Sequence, residues 1–150
     1  MMTDKANEIV STRVFNFSRE QLFKAWAQPE YLAKWWGPKG FTNIFKEFDF
    51  TIGGNWMFTM HAPDGNSYEN LNRFTQIVVP ELIVYDHLQS NHAFTGSFVF
   101  EELPGKTKVI FTMAFESAEE CQKLKAFITP ANEENFDRLQ AVLEVMPQDE

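Results

Sequence analysis

The chain has little of what secreted, disulfide-linked or membrane-spanning proteins require. Cys121 is its only cysteine, so no internal disulfide can form. No apolar run approaches the ~20 residues of a membrane-spanning helix. The first ten residues lack the basic start and apolar stretch of a signal peptide. We therefore expect a cytoplasmic protein without integral membrane contact.

Basic residues are also scarce. The chain has 13 Lys and Arg against 21 Asp and Glu, a formal net charge of -8, and no basic run. An acidic surface repels both nucleic-acid phosphates and anionic bilayers. We expect neither nucleic-acid binding nor electrostatic docking on a membrane.

The spacings typical of metal, phosphate and nucleophile sites are missing as well. His61, His87 and His92 lie on different predicted strands or turns, with no cysteine cluster or His-x-x-x-His pair beside them. Gly53-Gly54 lacks the Lys-Ser/Thr pair of a phosphate-binding loop, and no nucleophile elbow is present. The sequence predicts no metal and no cofactor.

Aromatic residues, by contrast, are abundant, with 16 Phe, 4 Trp and 3 Tyr among 150 residues. The chain is 44% hydrophobic and 23% charged, which is typical of an ordered globular protein. We predict a single domain over residues 1–150 with an ordered core at about 8–146. A domain of this size has limited room for so many rings, so either the core is very aromatic or some rings line a pocket.

Two short helices are predicted near the N-terminus, after a first strand in residues 9–17. Ser18 and Gln21 have the spacing of a capping box that opens the first helix, and Pro29 fits the first turn of the second. The second helix ends at Trp35-Trp36-Gly37-Pro38, because glycine and proline stop a helix. Adjacent helical residues point about 100° apart, so we expect one tryptophan in the core and the other half exposed.

A run of strands joined by short turns follows. Alternating residues and turn signals predict strands at 42–52, 55–61, 67–79, 82–89, 95–103 and 106–115. Gly53-Gly54, residues 63–66, residues 90–92 and Pro104-Gly105 are the predicted turns. Connections this short favour an antiparallel sheet.

The C-terminal part is predicted to be helical. Ser117 with Glu120 opens a short helix at 118–128, and Thr129 caps a second helix that starts at Pro130. The second helix has an apolar stripe that covers the sheet and an opposite acidic face with Glu133, Glu134, Asp137 and Glu144. The stripe consists of Phe136, Leu139, Leu143 and Met146, with Val142 beside it.

Several stretches of the chain carry a family resemblance. They are residues 17–26 (FSREQLFKAW), Pro29-Glu30 with Trp35-Trp36-Gly37-Pro38, residues 53–58 (GGNWMF), Asp64-Gly65 and residues 80–83 (PELI). In this order they resemble the START-like superfamily, also called SRPBCC or Bet v 1-like. Within it the chain is similar to homologues of the C-terminal domain of the heat-shock-protein-90 ATPase activator (AHSA1-like), over about residues 9–146.

The resemblance implies an α+β helix-grip fold. A curved antiparallel sheet of six or seven strands would wrap around a long C-terminal helix, with a cavity between them and the two short helices at one end. Relatives bind lipids or hormones, cyclise polyketides or contact a chaperone. Many relatives have a glycine-marked approach to the last helix. Thr129-Pro130 stands there in this chain, so we expect an interruption that shifts the helix and changes the cavity.

The candidate ligand is therefore a hydrophobic small molecule or lipid in that cavity. The polar candidates are few: Tyr85 and His87 share one strand face, as do Asn70 and Asn72. Each pair is either a set of pocket groups or an ordinary surface feature. The candidate cavity residues are Trp35, Trp36, Trp56, Phe58, Met60, Phe74, Tyr85, His87, Phe98, Phe111, Phe136 and Leu139.

Two other classes of function stay open at this point. A protein-interaction module resembling the chaperone activators would need an exposed patch, for which residues 36–41 are the candidate. A cyclase or aromatase would need an acid or base in the pocket, and Tyr85 with His87 is the pair to test, since His87→Ala should then abolish turnover. Glu69 and Glu101 qualify only if buried. The pattern favours binding over catalysis, and both monomer and homodimer remain possible.

Overall fold

The computed structural model describes residues 6–88 and 93–147. The predicted turn at 90–92, the start of the chain and the last three residues lie outside this part. The elements in chain order are β1 (Glu8–Phe15), α1 (Arg19–Ala27), α2 (Pro29–Trp35), β2 (Thr42–Phe48), β3 (Asn55–His61), β4 (Ser67–Val78), β5 (Leu82–His87), β6 (Phe94–Leu103), β7 (Lys106–Phe115) and α3 (Ala118–Val145).

The seven strands form one curved antiparallel sheet in the order β1-β7-β6-β5-β4-β3-β2. The six consecutive strands β2 to β7 each pair with the next one along the chain, and β1 closes the far side by pairing with β7. This arrangement follows from the short turns, since neighbouring strands joined by a few residues can only run antiparallel. The predicted α+β helix-grip fold is confirmed.

Four predicted strands end earlier than their sequence pattern indicated: β1 ends at Phe15 and β4 at Val78, and β2 and β5 are also shorter. β2 stops at Phe48 because the backbone turns there: the Thr51 N–H donates to the Asp49 carbonyl and the Gly54 N–H to the Thr51 carbonyl. β5 likewise ends at His87. The apolar residues of 49–52 pointed to a longer strand, but local turn hydrogen bonds compete with the sheet ladder.

The starts of the helices follow the predicted chemistry. The Ser18 hydroxyl accepts from the Gln21 N–H at 3.2 Å, and the Ser117 hydroxyl accepts from the Glu120 N–H at 3.1 Å. Pro29 stands in the first turn of α2, where a missing N–H costs nothing. α2 ends at Trp35, and Trp36 is its extended C-cap residue.

The C-terminal helix differs from the prediction of two helices. α3 runs without a break from Ala118 to Val145 and contains Pro130, so the expected interruption at Thr129-Pro130 is wrong. A proline removes one helical hydrogen bond. Buried residues on both sides, Cys121 before it and Phe136 after it, pack into the core, and this packing outweighs the local penalty.

The core lies between the concave face of the sheet and α3. The α3 side consists of the predicted stripe Phe136, Leu139, Leu143 and Met146, all of them buried. From the sheet, the alternate β7 residues Thr107, Val109, Phe111, Met113 and Phe115 point inward. α1 and α2 pack at one end of this core, and α2 contacts α3, α1 and β2.

Candidate functional site

The end of α2 is attached to its surroundings by side chains from two distant elements. The Asn135 side-chain amide on α3 donates to the Trp35 carbonyl at 2.6 Å and accepts from the Gly37 N–H at 3.3 Å. On β2, the Asn43 amide donates to the Trp36 carbonyl at 2.7 Å and to the Ala33 carbonyl at 3.2 Å. These bonds satisfy groups that every helix end leaves open.

Arg138 completes this attachment. Its guanidinium donates to the carbonyls of Lys34, Gly37 and Pro38 at 2.8–2.9 Å and to that of Trp36 at 3.3 Å. A cation at a helix C-terminus also complements the helix dipole. Partial burial lowers the pKa of Arg138 from its ordinary value. We call Asn43, Asn135 and Arg138 the α2 clamp.

The turn that the clamp holds requires glycine at position 37. Gly37 has a φ of +100°, and a Cβ there would lie 3.0 Å from the Met60 methyl group and 3.3 Å from the Phe41 Cβ. Because of this tight turn, the residues after Trp36 lie against α3. Lys39 and Gly40 are exposed, whereas Trp36, Pro38 and Phe41 are half-buried. Residues 36–41 therefore form a clamped turn and not the exposed apolar patch that protein interaction would need.

The two tryptophans of this turn have different environments, as their spacing predicted. Trp35 is 1% exposed, and its indole N–H donates to the Ala25 carbonyl at 3.1 Å, which ties α2 to α1. Trp36 is half-buried, and its ring enters the interior. It contacts the rings of Trp35, Trp56, Tyr85, Phe98 and Phe111 at centroid distances of 4.9–6.5 Å. These six rings are the Trp36 cluster.

Trp36 is the half-buried ring of this cluster, and the other five are each at most 5% exposed. Trp56 comes from β3, Tyr85 from β5, Phe98 from β6 and Phe111 from β7. The Trp36 ring therefore contacts rings from four strands, the adjacent strands β5, β6 and β7 and, beyond β4, the strand β3, at the end of the core where α2 stops. The aromatic side chains that the sequence proposed for a cavity pack against one another here.

Two polar groups of the cluster are buried and have no hydrogen-bond partner among residues 6–88 and 93–147. They are the Trp56 indole N–H and the Tyr85 hydroxyl, which we call the two open donors. Their rings contact each other at 5.6 Å. Complete burial raises the pKa of Tyr85 far above its ordinary value, so its phenol keeps its proton.

Gly96 accounts for the position of the Tyr85 ring. The two residues are cross-strand partners on β5 and β6, and a Cβ at Gly96 would lie 2.5 Å from two ring carbons and 2.7 Å from the hydroxyl oxygen. Any other residue would push the ring away. The glycine lets the phenol lie flat on the β6 backbone, and this fixes where the hydroxyl stands.

His87 belongs to a different group of side chains. Its Nδ1 lies 2.8 Å from the Asn72 side-chain oxygen, and its ring stacks on Phe94 at 4.9 Å. The Asn72 amide in turn donates to the Trp56 carbonyl at 3.4 Å. Asn72 is buried, whereas Asn70 is half-buried and bonds locally to the Tyr68 carbonyl. His87 is thus anchored to a buried amide.

The remaining predicted cavity residues lie around the cluster or beyond it. Phe58 and Phe74 are buried and contact the Trp56 ring at 5.1 and 5.9 Å. Met60 is half-buried and packs against the core. Phe136 and Leu139 are buried on α3, and Phe136 packs on Phe15 of β1 at 5.9 Å, toward the other side of the sheet.

The acidic candidates for catalysis are on the surface. Glu69 is exposed, and its carboxylate accepts hydrogen bonds from the Lys46 ammonium at 2.7 Å and from the Thr59 hydroxyl at 3.0 Å. Lys46 lowers the pKa of this carboxyl. Glu101 is exposed as well. In the described part of the chain, no three His, Cys, Asp or Glu side chains are grouped as metal ligands, and no helix is long and apolar enough for a bilayer.

Open pockets also occur at the surface, away from the centre of the cluster. One of about 400 Å³ lies between the start of α1 and the β6–β7 turn, beside Arg19 and Lys106. Another, of about 260 Å³, borders His87 and Phe94. A third, of about 370 Å³, lies between Lys39 and α3 next to Arg138. The first two have mixed polar and apolar linings, and the third is lined mainly by apolar atoms of Lys39, Ala141 and their neighbours on α3.

The α2 clamp was not predicted from the sequence. Asn135 and Arg138 each directly precede a residue of the α3 stripe, Phe136 and Leu139, and Asn43 is the second residue of β2. Their positions next to the apolar stripe were a weak signal. Asn135 and Arg138 bond carbonyls that lie about 100 residues earlier in the chain, and no local pattern reveals such a pairing.

Comparison with known proteins agrees with this architecture. The family model described as Activator of Hsp90 ATPase homolog 1-like protein matches residues 16–144. Among curated proteins, none matches the chain. A solution NMR structure from Arthrobacter aurescens superposes with a TM-score of 0.86 at 24% identity, covering 97% of this chain and 92% of that one.

Two further structures are similar in fold. A crystal structure from Nitrosomonas europaea has a TM-score of 0.86 at 14% identity, with coverage of 94% and 96%. The AHSA1 protein from Silicibacter pomeroyi has a TM-score of 0.74 at 19% identity, with coverage of 92% and 98%. The matched region spans most of the chain, from the end of β1 nearly to the end of α3. The chain belongs to the family of Activator of Hsp90 ATPase homolog 1-like proteins.

Proposed function

We propose that this protein binds a hydrophobic small molecule inside the Trp36 cluster, in the space that the Trp36 side chain occupies. One observation carries the proposal: the two open donors, Trp56 N–H and Tyr85 O–H, lie buried among apolar rings. Leaving a buried donor without an acceptor costs about 1–3 kcal/mol. A ligand that supplies an acceptor recovers this energy and also buries its own apolar surface.

The position of Trp36 supports this proposal. Its main chain is held by Asn43 and Arg138, and the residue is half-buried, whereas the other five residues of the cluster are at most 5% exposed. The side chain can rotate outward about its own bonds while the clamped backbone stays in place. Such a movement would open a space lined by Trp56, Tyr85 and Phe98 without unfolding α2.

Indane tests the proposal, because it has the fused six–five ring skeleton of the displaced indole. We expect saturable binding to the wild-type chain, and binding about tenfold tighter to Trp36→Ala, in which no side chain competes for the space. NMR with ¹⁵N-labelled indoles follows the titration through Trp56, whose ring contacts that of Trp36 at 4.9 Å.

Tyr68→Ala is the matched control, since Tyr68 is 49% exposed on β4 and its loss should leave indane binding unchanged. Failure of indane to bind both the wild-type chain and Trp36→Ala would contradict the proposal. If indane binds as expected, native mass spectrometry of protein purified from its own host would identify the natural ligand.

A second candidate function is contact with a chaperone of the Hsp90 class, as the family description indicates. The outer face of the sheet favours it, because Val10, Val14, Val78 and Val99 are 38–53% exposed there. Stimulation of the host chaperone's ATPase by the wild-type chain, and its loss in Val14→Lys/Val99→Lys, would support this function. Equal stimulation by both proteins would contradict a role for this face.

A further inference from the structure

We infer that the ligand of the Trp36 cluster is an uncharged molecule whose carbonyl or ether oxygen accepts hydrogen bonds from Trp56 and Tyr85. This inference rests on the proposed function and adds the chemical class of the ligand. It follows from the kind of polar groups in the cluster, from their placement and from the charges that the interior lacks.

The polar groups of the cluster call for an acceptor. An indole N–H can only donate, and a phenol donates through its O–H while it keeps its proton. The Trp56 and Tyr85 rings contact each other, and both contact the ring of Trp36, at 4.9 and 6.5 Å. A flat ligand in the place of the Trp36 ring would therefore contact the two rings that carry the open donors.

The hydroxyl of Tyr85 is held in position for this contact. The close approach to the Gly96 backbone prevents the ring from moving toward β6, and Phe98 stacks on it at 6.1 Å with an interplanar angle of 20°. A preorganised donor loses little freedom when a ligand binds. Such a donor distinguishes ligands by whether they place an oxygen at this point.

The interior offers no partner for a charged ligand. Within residues 6–88 and 93–147, the buried side chains that are not apolar are all neutral: Ser11, Gln21, Thr59, Asn72, Thr107, Asn132 and Asn135. Arg138, the charged residue of the clamp, already donates to four carbonyls. Burial of a carboxylate or ammonium without a counter-ion is strongly unfavourable, so the site selects uncharged molecules.

Three matched probes test the inference: indane, 1-indanone and indane-1-carboxylate. They share one ring system. Indane carries no polar group, 1-indanone adds a carbonyl oxygen, and indane-1-carboxylate adds a negative charge. In Trp36→Ala we expect 1-indanone to bind about tenfold tighter than indane, as two neutral hydrogen bonds would give. The carboxylate should bind more weakly than indane. 1-Indanone should also move the Trp56 indole proton downfield, and indane should not.

Tyr85→Phe, placed in the Trp36→Ala background, isolates one donor because it removes only the hydroxyl. We expect the preference for 1-indanone over indane to fall to about threefold, while indane itself binds as before. Tyr68→Phe in the same background should leave the preference unchanged. Trp56→Phe is the second variant and should reduce the preference in the same way.

The outcomes separate this inference from the proposed function. Equal binding of indane and 1-indanone, or a preference that survives Tyr85→Phe and Trp56→Phe, overturns the inference while the binding function stands. Tighter binding of the carboxylate than of 1-indanone overturns it as well. If none of the three probes binds, both the proposed function and the inference fail.

Discussion

The α2 clamp and the Trp36 cluster lie on two sides of the same turn and differ in how their buried donors are used. In the clamp, Asn43, Asn135 and Arg138 donate to the carbonyls of residues 33–38, although the Asn43 side-chain oxygen has no partner in the described part of the chain. In the cluster, directly inside the turn, the two open donors stay without an acceptor from the described part of the chain. The clamp has the chemistry of a stable structural joint, whereas the cluster has donors available for the ligand that we propose.

This difference shows where the fold tolerates an energetic cost. Buried polar groups in proteins are nearly always hydrogen-bonded, so two open donors on rings in contact are unusual. A half-buried ring, Trp36, packs on both of these rings. Among the fully buried indoles of α1 and α2, that of Trp35 is bonded to Ala25, whereas that of Trp26 is a third open donor in the described part of the chain. Functional sites are where such local costs are commonly retained.

The largest expected effect is a loss of stability on the structural side of this turn, at Trp35. Trp35→Ala should lower the free energy of unfolding by about 3–5 kcal/mol, because it removes a fully buried ring and its bond to α1. Trp36→Ala should cost clearly less, since its ring is half-buried. Chemical denaturation of the two variants measures the difference. Equal losses would show that both rings are structural.

Removal of the clamp's cation should have the next largest effect. Arg138→Met keeps the aliphatic stem but loses the bonds to the carbonyls of residues 34 and 36–38, and we expect a loss of about 2–3 kcal/mol of unfolding free energy. Lys123→Met, also on α3 but 74% exposed, should change it by less than about 0.5 kcal/mol. If the two substitutions cost the same, the clamp is not a stabilising joint.

Removal of one open donor should have a smaller effect, of opposite sign. Tyr85→Phe deletes a buried hydroxyl that has no protein partner in the described chain, so the ligand-free protein should gain about 1 kcal/mol of stability. Tyr68→Phe, on the exposed part of β4, should be neutral. Thermal unfolding of both variants is the measurement. A loss of stability in Tyr85→Phe would mean that the hydroxyl is bonded.

Alkaline titration gives the smallest and most specific signal. Burial raises the pKa of Tyr85, so the folded state holds this proton more tightly than the unfolded state does. The resulting stability is fully present below pH about 10 and is lost as the pH rises above it. Tyrosinate absorbance should show an ionisation step that occurs only on unfolding, and Tyr85→Phe should abolish that step. Ionisation of Tyr85 before unfolding would contradict this.

Much of the fold was predictable because its signals are local. The caps at Ser18 and Ser117, Pro29 at the start of α2 and the stop after Trp35 depend on a few neighbouring residues. Strand alternation predicted β3 and β7 in the same way. The break predicted at Pro130 was wrong, because the local effect of the proline is outweighed by the packing of α3 residues on either side of it.

The site was predictable only in part. The sequence pointed to Trp36, Trp56 and Tyr85 as inward-facing rings, but it paired Tyr85 with His87, which bonds Asn72 instead. Asn135 and Arg138 went unnoticed, because each acts on a turn about 100 residues away.

The sequence by itself determined the order of the elements, the antiparallel sheet and the abundance of rings, since periodicity, caps and turns act over a few residues. Only the tertiary structure decided which donors find an acceptor. Trp35 and Trp56 are the same residue type and are equally buried, yet one indole is bonded and the other open. A hydrogen bond depends on which distant atom comes within reach, and the packing of α1, α2 and the sheet settles that.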